Sequence, residues 1–441
     1  MRSLPLCLAL LAGAAPAQEP AHAAPPPALP RGPQAVELPA TPLEAVDFDE
    51  AVQRAALHAT LSTIAAEEVH RAEALLVETR SGSLPLLTAN ATYTHLEAAR
   101  VVAGNVTNPQ DAANGNAILS LPVLAPSRWY QWSHASDQVA VARASGDDVR
   151  RTVTLTAARA YLAIVASKRA IDVSHRAVEV ARAHFEFAHN RRAVGVGSVL
   201  DEVRADQQLS SAEAQLEAAE TLLLRSQEAL GISCGADRPL DAKGDPELGG
   251  GPASGDEALR AAEVARTDVL AARARTDAAR RVTRDSWADW TPTVVASGEV
   301  FVQDPATALL PKQGWLVQMV LSFPLFEGLY RMGQHDERAA LEAEARAQQD
   351  GITQQARSDV RTAYGSLRHA VAALGQSRRA ADRAQAALGL VTEAYKEGAI
   401  TSLDVIDADQ RARDADVTAV VAEDAVRQAE LDVLAATGRF P

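Results

Sequence analysis

Residues 398–411 read GAITSLDVIDADQR, and residues 195–208 read GVGSVLDEVRADQQ. Gly195 aligns with Gly398, Leu200 with Leu403, Asp201 with Asp404, Ala205 with Ala408, Asp206 with Asp409 and Gln207 with Gln410, without gaps. Each copy opens on a glycine, which stops a preceding helix. A hydroxyl residue follows (Ser198, Thr401), suited to accept from the first free backbone amides of a new helix. An acid then stands in the first turn, where the helix dipole favours negative charge. One chain therefore carries the same turn and helix start twice.

The duplication extends outward in both directions. Ser120-Leu121-Pro122 matches Ser322-Phe323-Pro324, and Ala160-Tyr161 matches Ala363-Tyr364. Residues 127–192 hold no proline and a single glycine before their end, and helix formers fill them. Some 65 residues of helix reach about 100 Å. A second long helix, again without proline, is expected over residues 330–397. Shorter helices are expected over residues 48–79, with Asp47 as N-cap and Glu50 closing a capping box, and over 198–230, 256–284 and 402–438. Four stretches change period to two. Leu87, Ala89, Ala91 and Tyr93 alternate with Thr88, Asn90, Thr92 and Thr94. Ala117, Leu119, Leu121 and Val123 share a face opposite Asn116 and Ser120. Val294, Ala296, Val300 and Val302 oppose Ser297 and Glu299. Trp315, Val317, Met319 and Leu321 oppose Gln318 and Ser322. The chain reads as two copies of helix, strand, strand, long helix, turn and helix.

Composition narrows the class. The 441 residues carry a net charge of -14, the wrong sign for a nucleic-acid footprint. Aromatics are 4% of the chain, too few for several large globular cores. The start resembles an export signal over residues 1–17: Arg2, an apolar stretch to Ala15, and a small-x-small site ahead of Gln18. Residues 18–46 are rich in Pro and Ala and read as a tether. The remaining bounds are a first repeat at 47–231, a Gly/Pro-rich linker at 232–255 and a second repeat at 256–438. Beyond the leader one cysteine remains, Cys234, so no internal disulfide is expected. The sequence shows no run of 18 apolar residues, which leaves a β-barrel as the way to cross a membrane.

Four strands expose two long edges and do not close a barrel with a lumen. Three copies would supply twelve, with the apolar face to lipid and the polar face to water. Trp129, Tyr130 and Trp132 follow the second strand, and Trp287 and Trp290 precede the third. All five fall at one end of such a barrel, as an aromatic membrane girdle does. A soluble coiled-coil adaptor or scaffold would share the helices without the strands. No metal, cofactor or catalytic motif is found: His58 and His70, and His184 and His189, lack ligand spacing, and Gly249-Gly250-Gly251 follows no strand.

The two-fold repeat, Pro324-Leu325-Phe326-Glu327-Gly328 after a strand, and G-x-x-[ST]-x-L-D at Gly195 to Asp201 and Gly398 to Asp404 resemble the TolC-type outer membrane efflux proteins. The resemblance covers residues 48–438. It implies a mostly α fold with a membrane β-barrel: a homotrimer whose 12-strand barrel continues into a 12-helix periplasmic α-barrel. It also implies a periplasmic adaptor and an inner-membrane pump as partners, and export rather than enzymatic activity. The tips (Gly195, Gly197, Ser198, Leu200, Gly398, Thr401, Leu403) would then meet the adaptor. Asp404 and Asp407 would form an acidic ring at the aperture. Tyr395 matches a tyrosine that latches the inner hairpin, and Asp201 the acid it latches to. The sequence departs from the family pattern at Ile400, where the latch has an arginine, and at Arg204, the first-copy partner of Asp407.

Overall fold

The computed structural model describes residues 43–102, 105–249, 255–307 and 311–440. The expected leader and the tether up to residue 42 lie outside them.

In chain order the elements are β1 (Glu44–Val46), α1 (Phe48–His58), α2 (Thr60–Ser81), β2 (Leu86–His95), β3 (Arg100–Val102), β4 (Asn105–Asn108), β5 (Asp111–Leu124), α3 (Pro126–Ala193), α4 (Val199–Ser233), β6 (Leu240–Ala242), α5 (Gly255–Ala265), α6 (Thr267–Arg284), a short 3-10 helix (Asp285–Trp290), β7 (Thr293–Asp304), β8 (Gln313–Ser322), α7 (Tyr330–Lys396) and α8 (Ser402–Thr437). The two long helices span 68 and 67 residues, about 100 Å each at 1.5 Å per residue. Alanine, arginine and glutamate hold them unbroken, and Pro126 starts α3 in the first turn, where its missing N–H costs nothing. Helices α2 and α4 both pack along α3. Helices α6 and α8 both pack on α3 and on α7.

The period-two stretches form one antiparallel sheet in the order β2-β5-β7-β8. Central strand β5 tolerates Pro122 because the register with β7 shifts there, between Pro122 and Leu124. The register pairs Ala89 with Ala117, Ala117 with Val300, and Val300 with Trp315, so one apolar face runs across all four strands. That face is bare: Trp315 is 76% exposed, and Leu87, Val317 and Met319 are exposed to a similar degree. Strands β2 and β8 are the free edges. Among the described residues, no helix is long and apolar enough to cross a membrane.

The structure departs from the sequence reading in three places. The helices expected over 48–79 and 256–284 are each interrupted, at Ala59 (ψ 141°) and Arg266 (ψ 127°). Neither break carries Pro or Gly. Each break packs tightly against another helix end: Gly235 and Gly438, left-handed at the ends of α4 and α8, lie against them with room for no side chain. A Cβ at Gly235 would stand 2.3 Å from the His58 carbonyl oxygen, and one at Gly438 2.9 Å from the Ala265 carbonyl carbon.

Second, Asp47 occupies the N-cap of α1 without a side-chain capping bond, and the expected box with Glu50 does not form. Glu50 pairs instead with Arg54, at 2.6 Å.

Third, part of each supposed connecting segment forms a strand. β1 and β6 pair in parallel. Val46 and Leu240 are fully buried with Tyr161 and Leu230 in the main apolar cluster. Lys168 Nζ donates to Asp241 and to the Ala242 carbonyl, both at 2.7 Å, and the Tyr161 hydroxyl donates to the Gly244 carbonyl at 2.9 Å. The sequence hid this because three-residue strands carry no readable period.

Candidate functional site

The duplicated turns stand side by side at the far end of the long helices from the sheet. Each ends its helix the same way. The Val196 amide donates to the Arg191 carbonyl and the Gly195 amide to that of Arg192; Ala399 and Gly398 repeat this to Ala394 and Tyr395. Gly195 and Gly398 hold φ of 82° and 81°, the left-handed state that a side chain opposes. Ser198 then caps α4, accepting from the Leu200 amide at 3.1 Å. In the second copy, the Asp404 carboxylate accepts from the Thr401 amide (2.9 Å) and hydroxyl (2.6 Å). These bonds, the hydroxyl's first, hold the Asp404 carboxyl below the usual aspartate range.

What lies beneath the turns differs. In the first copy Glu202 is buried, and its carboxylate is met by Arg192 and, at 2.7 Å, by His189. Arg192 and then His189 hold Glu202 below the ordinary carboxylate value. In the second copy the aligned residue is Val405, fully buried, and Arg192 aligns with Tyr395. The Tyr395 ring is 7% exposed and meets Phe187 of α3 edge-on at 5.5 Å. The Arg191 guanidinium lies 5.7 Å from both rings.

Two side-chain bonds join α4 to α8 across the hairpins. Ser402 Oγ donates to Asp201, and Gln208 Nε2 donates to Asp409. Both pairs are seven residues apart on their helices, so the bonds lie on one face, two turns from each other. Asp409 is 2% exposed, with Arg413 at 3.1 Å. Burial raises its carboxyl above the usual aspartate value, against the pull of Arg413 and His184. Burial also lowers His184, with Asp409 opposing.

The latch is expected between Tyr395 and Asp201, whose side chains here have other neighbours. The Asp201 carboxylate is taken by Ser402, while Tyr395 grips the first hairpin through its ring. Asp407 is exposed and paired to Arg411 at 2.8 Å, one turn along α8. Leu200 and Leu403 are 54% exposed, apolar groups on the outside of both tips. Sequence comparison of the repeats matched Asp206 with Asp409 but gave no sign that one is exposed and the other buried. Arg192 and His189 reach Glu202 from α3, and Gln208 reaches Asp409 from α4, and no spacing announces these partners; only Arg413, four residues on along α8, stands at a readable distance from Asp409.

At the opposite end, the aromatic residues gather where helices enter the sheet. Trp129, Tyr130 and Trp132 lie in the first turns of α3, and Trp287 and Trp290 in the 3-10 helix. Tyr130 and Trp287 meet edge-on at 5.5 Å. Arg80 lies 4.7 Å over Trp132, and Arg331 5.6 Å over Trp290.

A sheet with one bare apolar face, continued by paired long helices that end in buttressed turns, is the architecture of an outer-membrane channel subunit. The chain belongs to the outer membrane efflux protein family, whose model matches residues 55–236 and again 258–439. That family is one of transport channels, not of enzymes. No curated protein sequence matches the chain. Solved structures share the fold. The VceC outer membrane protein of Vibrio cholerae is 20% identical, with 89% of this chain and 96% of that one covered and a TM-score of 0.73. The CmeC outer membrane channel of Campylobacter jejuni is 15% identical, with 89% and 86% covered and a TM-score of 0.76. The open state of the MtrE outer membrane channel of Neisseria gonorrhoeae is 20% identical, with 89% and 88% covered and a TM-score of 0.74.

Proposed function

We propose that three copies of this chain close a 12-strand barrel in the outer membrane and continue it as a 12-helix duct into the periplasm. There the duct receives cargo from an inner-membrane pump through a periplasmic adaptor. The observation that carries this reading is the sheet. Its edges, β2 and β8, are unpaired, and its apolar face is exposed over all four strands. In lipid, free edges leave backbone groups without partners, so closure by further copies is required. A soluble adaptor or scaffold has no use for such a face.

The helical tips then lie at the periplasmic mouth, with Leu200 and Leu403 offered to the adaptor. Trp129, Tyr130, Trp132, Trp287 and Trp290 lie at the periplasmic interface of the outer membrane, where amphipathic rings settle. Asp404 and Asp407 of three copies narrow the pore as an acidic ring that favours cations. Ser402–Asp201, Gln208–Asp409 and the Tyr395 stack hold the two hairpins of each copy together and set the resting aperture. Exported small molecules, metals or proteins are the cargo classes that suit such a duct.

The test is direct. The detergent-purified protein is expected to have the mass of a trimer, to migrate in gels differently before and after heating, and to form conducting pores in planar bilayers. Asp404→Ala combined with Asp407→Ala weakens block of those pores by multivalent cations. A monomer without conductance refutes the channel; unchanged block removes these aspartates from the constriction.

A further inference from the structure

Glu299 lies mid-strand in β7, five residues from Asp304 at its end, or about 17 Å along the strand. Of the acids in the four strands, Asp111 and Asp304 stand at strand ends, and each has a basic neighbour: His95 at 2.7 Å and Lys312 at 3.1 Å. Glu299 has none among the described residues. Its carboxylate accepts from Asn116 Nδ2 at 2.7 Å, and Asn116 in turn accepts from Asn90 Nδ2 at 3.1 Å. A neutral relay across three strands thus fixes the carboxylate without cancelling its charge. Its cross-strand partners are Ile118 on β5 and Leu316 on β8, which present no counter-charge. Alternation puts Glu299 on the face opposite Val300, Val302 and Trp315, the face that turns to water in the closed barrel.

We propose that Glu299 is a charge-selecting residue of the barrel lumen: three copies form an uncompensated carboxylate ring in mid-membrane that favours cations over anions. This rests on the trimeric-channel reading above. It adds a second filter, far along the duct from the acids at the helical tips. The lumen of such a barrel is wide, so the ring acts through its field rather than by contact. Its reach grows as salt falls, to about 30 Å at 0.01 M.

The experiment is the reversal potential of the full-length protein in planar bilayers under a KCl gradient near 0.01 M. It compares the parent, E299Q, E299K and the tip variant D404N/D407N. Glutamine keeps an oxygen for Asn116 and removes only the charge. The parent is expected to prefer potassium. E299Q lowers the potassium-to-chloride permeability ratio by about twofold or more, and E299K shifts it toward chloride. An E299Q ratio equal to the parent's overturns the proposal, the more plainly if D404N/D407N alone abolishes selectivity. A parent that forms no pores sinks the channel reading itself, a different result from a pore whose selectivity ignores residue 299.

Discussion

The two hairpin tips share a backbone and differ in what holds it. Both turns use the same pair of backbone bonds and the same left-handed glycine. Under the first lies an ion-paired cluster, Glu202 with Arg192 and His189. Under the second lie Val405 and the Tyr395 stack, with Asp409 buried farther along. Turn geometry is set locally by glycine and caps, so duplication preserved it. The support comes from other helices, so each copy was free to change it. The first tip is held by charge and the second by apolar packing and a buried acid.

The largest expected contrast concerns Gly197 and its partner Ile400. A Cβ at Gly197 would lie 2.6 Å from the Arg192 backbone nitrogen. Backbone cannot step aside as a side chain can, so Gly197→Val costs about 2–3 kcal/mol. Ile400→Gly costs only about 0.5–1 kcal/mol, through added freedom of the unfolded chain. Thermal midpoints of the helical circular dichroism signal in detergent measure both. Equal losses would mean the turns are interchangeable beyond their glycines.

Next come the aligned aspartates. Asp409→Ala removes the partner of Gln208 and Arg413 in a buried place and costs about 2 kcal/mol. Asp206→Ala, at an exposed position, stays within about 0.5 kcal/mol. If the two melt alike, the seam between α4 and α8 does not hold the second tip.

This contrast also marks how far the sequence could be read. The long helices, the four strands, their alternation and the Ser198 cap were legible because period and capping are local. So was the existence of two tips. The breaks at Ala59 and Arg266 were not, since neither carries Pro or Gly and each packs against a helix end some 170 residues away in sequence. The sheet of β1 and β6 was hidden because its three-residue strands are too short to show a period. Among site residues, the exposed acids Asp404 and Asp407 could be placed on the first turns of a helix. The occupant of Asp201, Ser402, could not, because it depends on how α4 and α8 lie against each other.

Acid separates the tips in sign. Glu202 is lowered when folded, so its contribution is full above the unfolded value of about 4.5 and is lost as pH falls through the lower folded value. Asp409 is raised, so its contribution is full below 3.8 and is lost as pH rises through the higher folded value. His184 is lowered and loses stability as pH falls below 6.5, opposing Asp409 in part. The measurement is therefore made in an H184Q background. There, E202Q flattens the low-pH loss, and D409N removes the gain seen on acidifying from neutrality. Hydrogen exchange at the two tips reads each separately. A shared sign at both tips would break the comparison.

The smallest expected effect on stability is also the one most tied to transport. Asp407 and Arg411 are an exposed i,i+4 pair, worth about 0.3–0.5 kcal/mol. Arg411→Gln should therefore leave the melting midpoint almost unmoved. The same change releases one negative charge per copy beside Asp404, at the narrow end of the proposed pore. Repulsion among carboxylates facing one axis rises, and so does their attraction for multivalent cations. Arg411→Gln should then strengthen cation block, opposite in direction to Asp404→Ala with Asp407→Ala. The first tip supplies the control: its residue at the Asp407 position is Arg204, and Arg204→Gln should alter block less if the second hairpin alone lines the aperture. Equal strengthening by both variants would show that both tips face the axis, and the division of labour between them would fall.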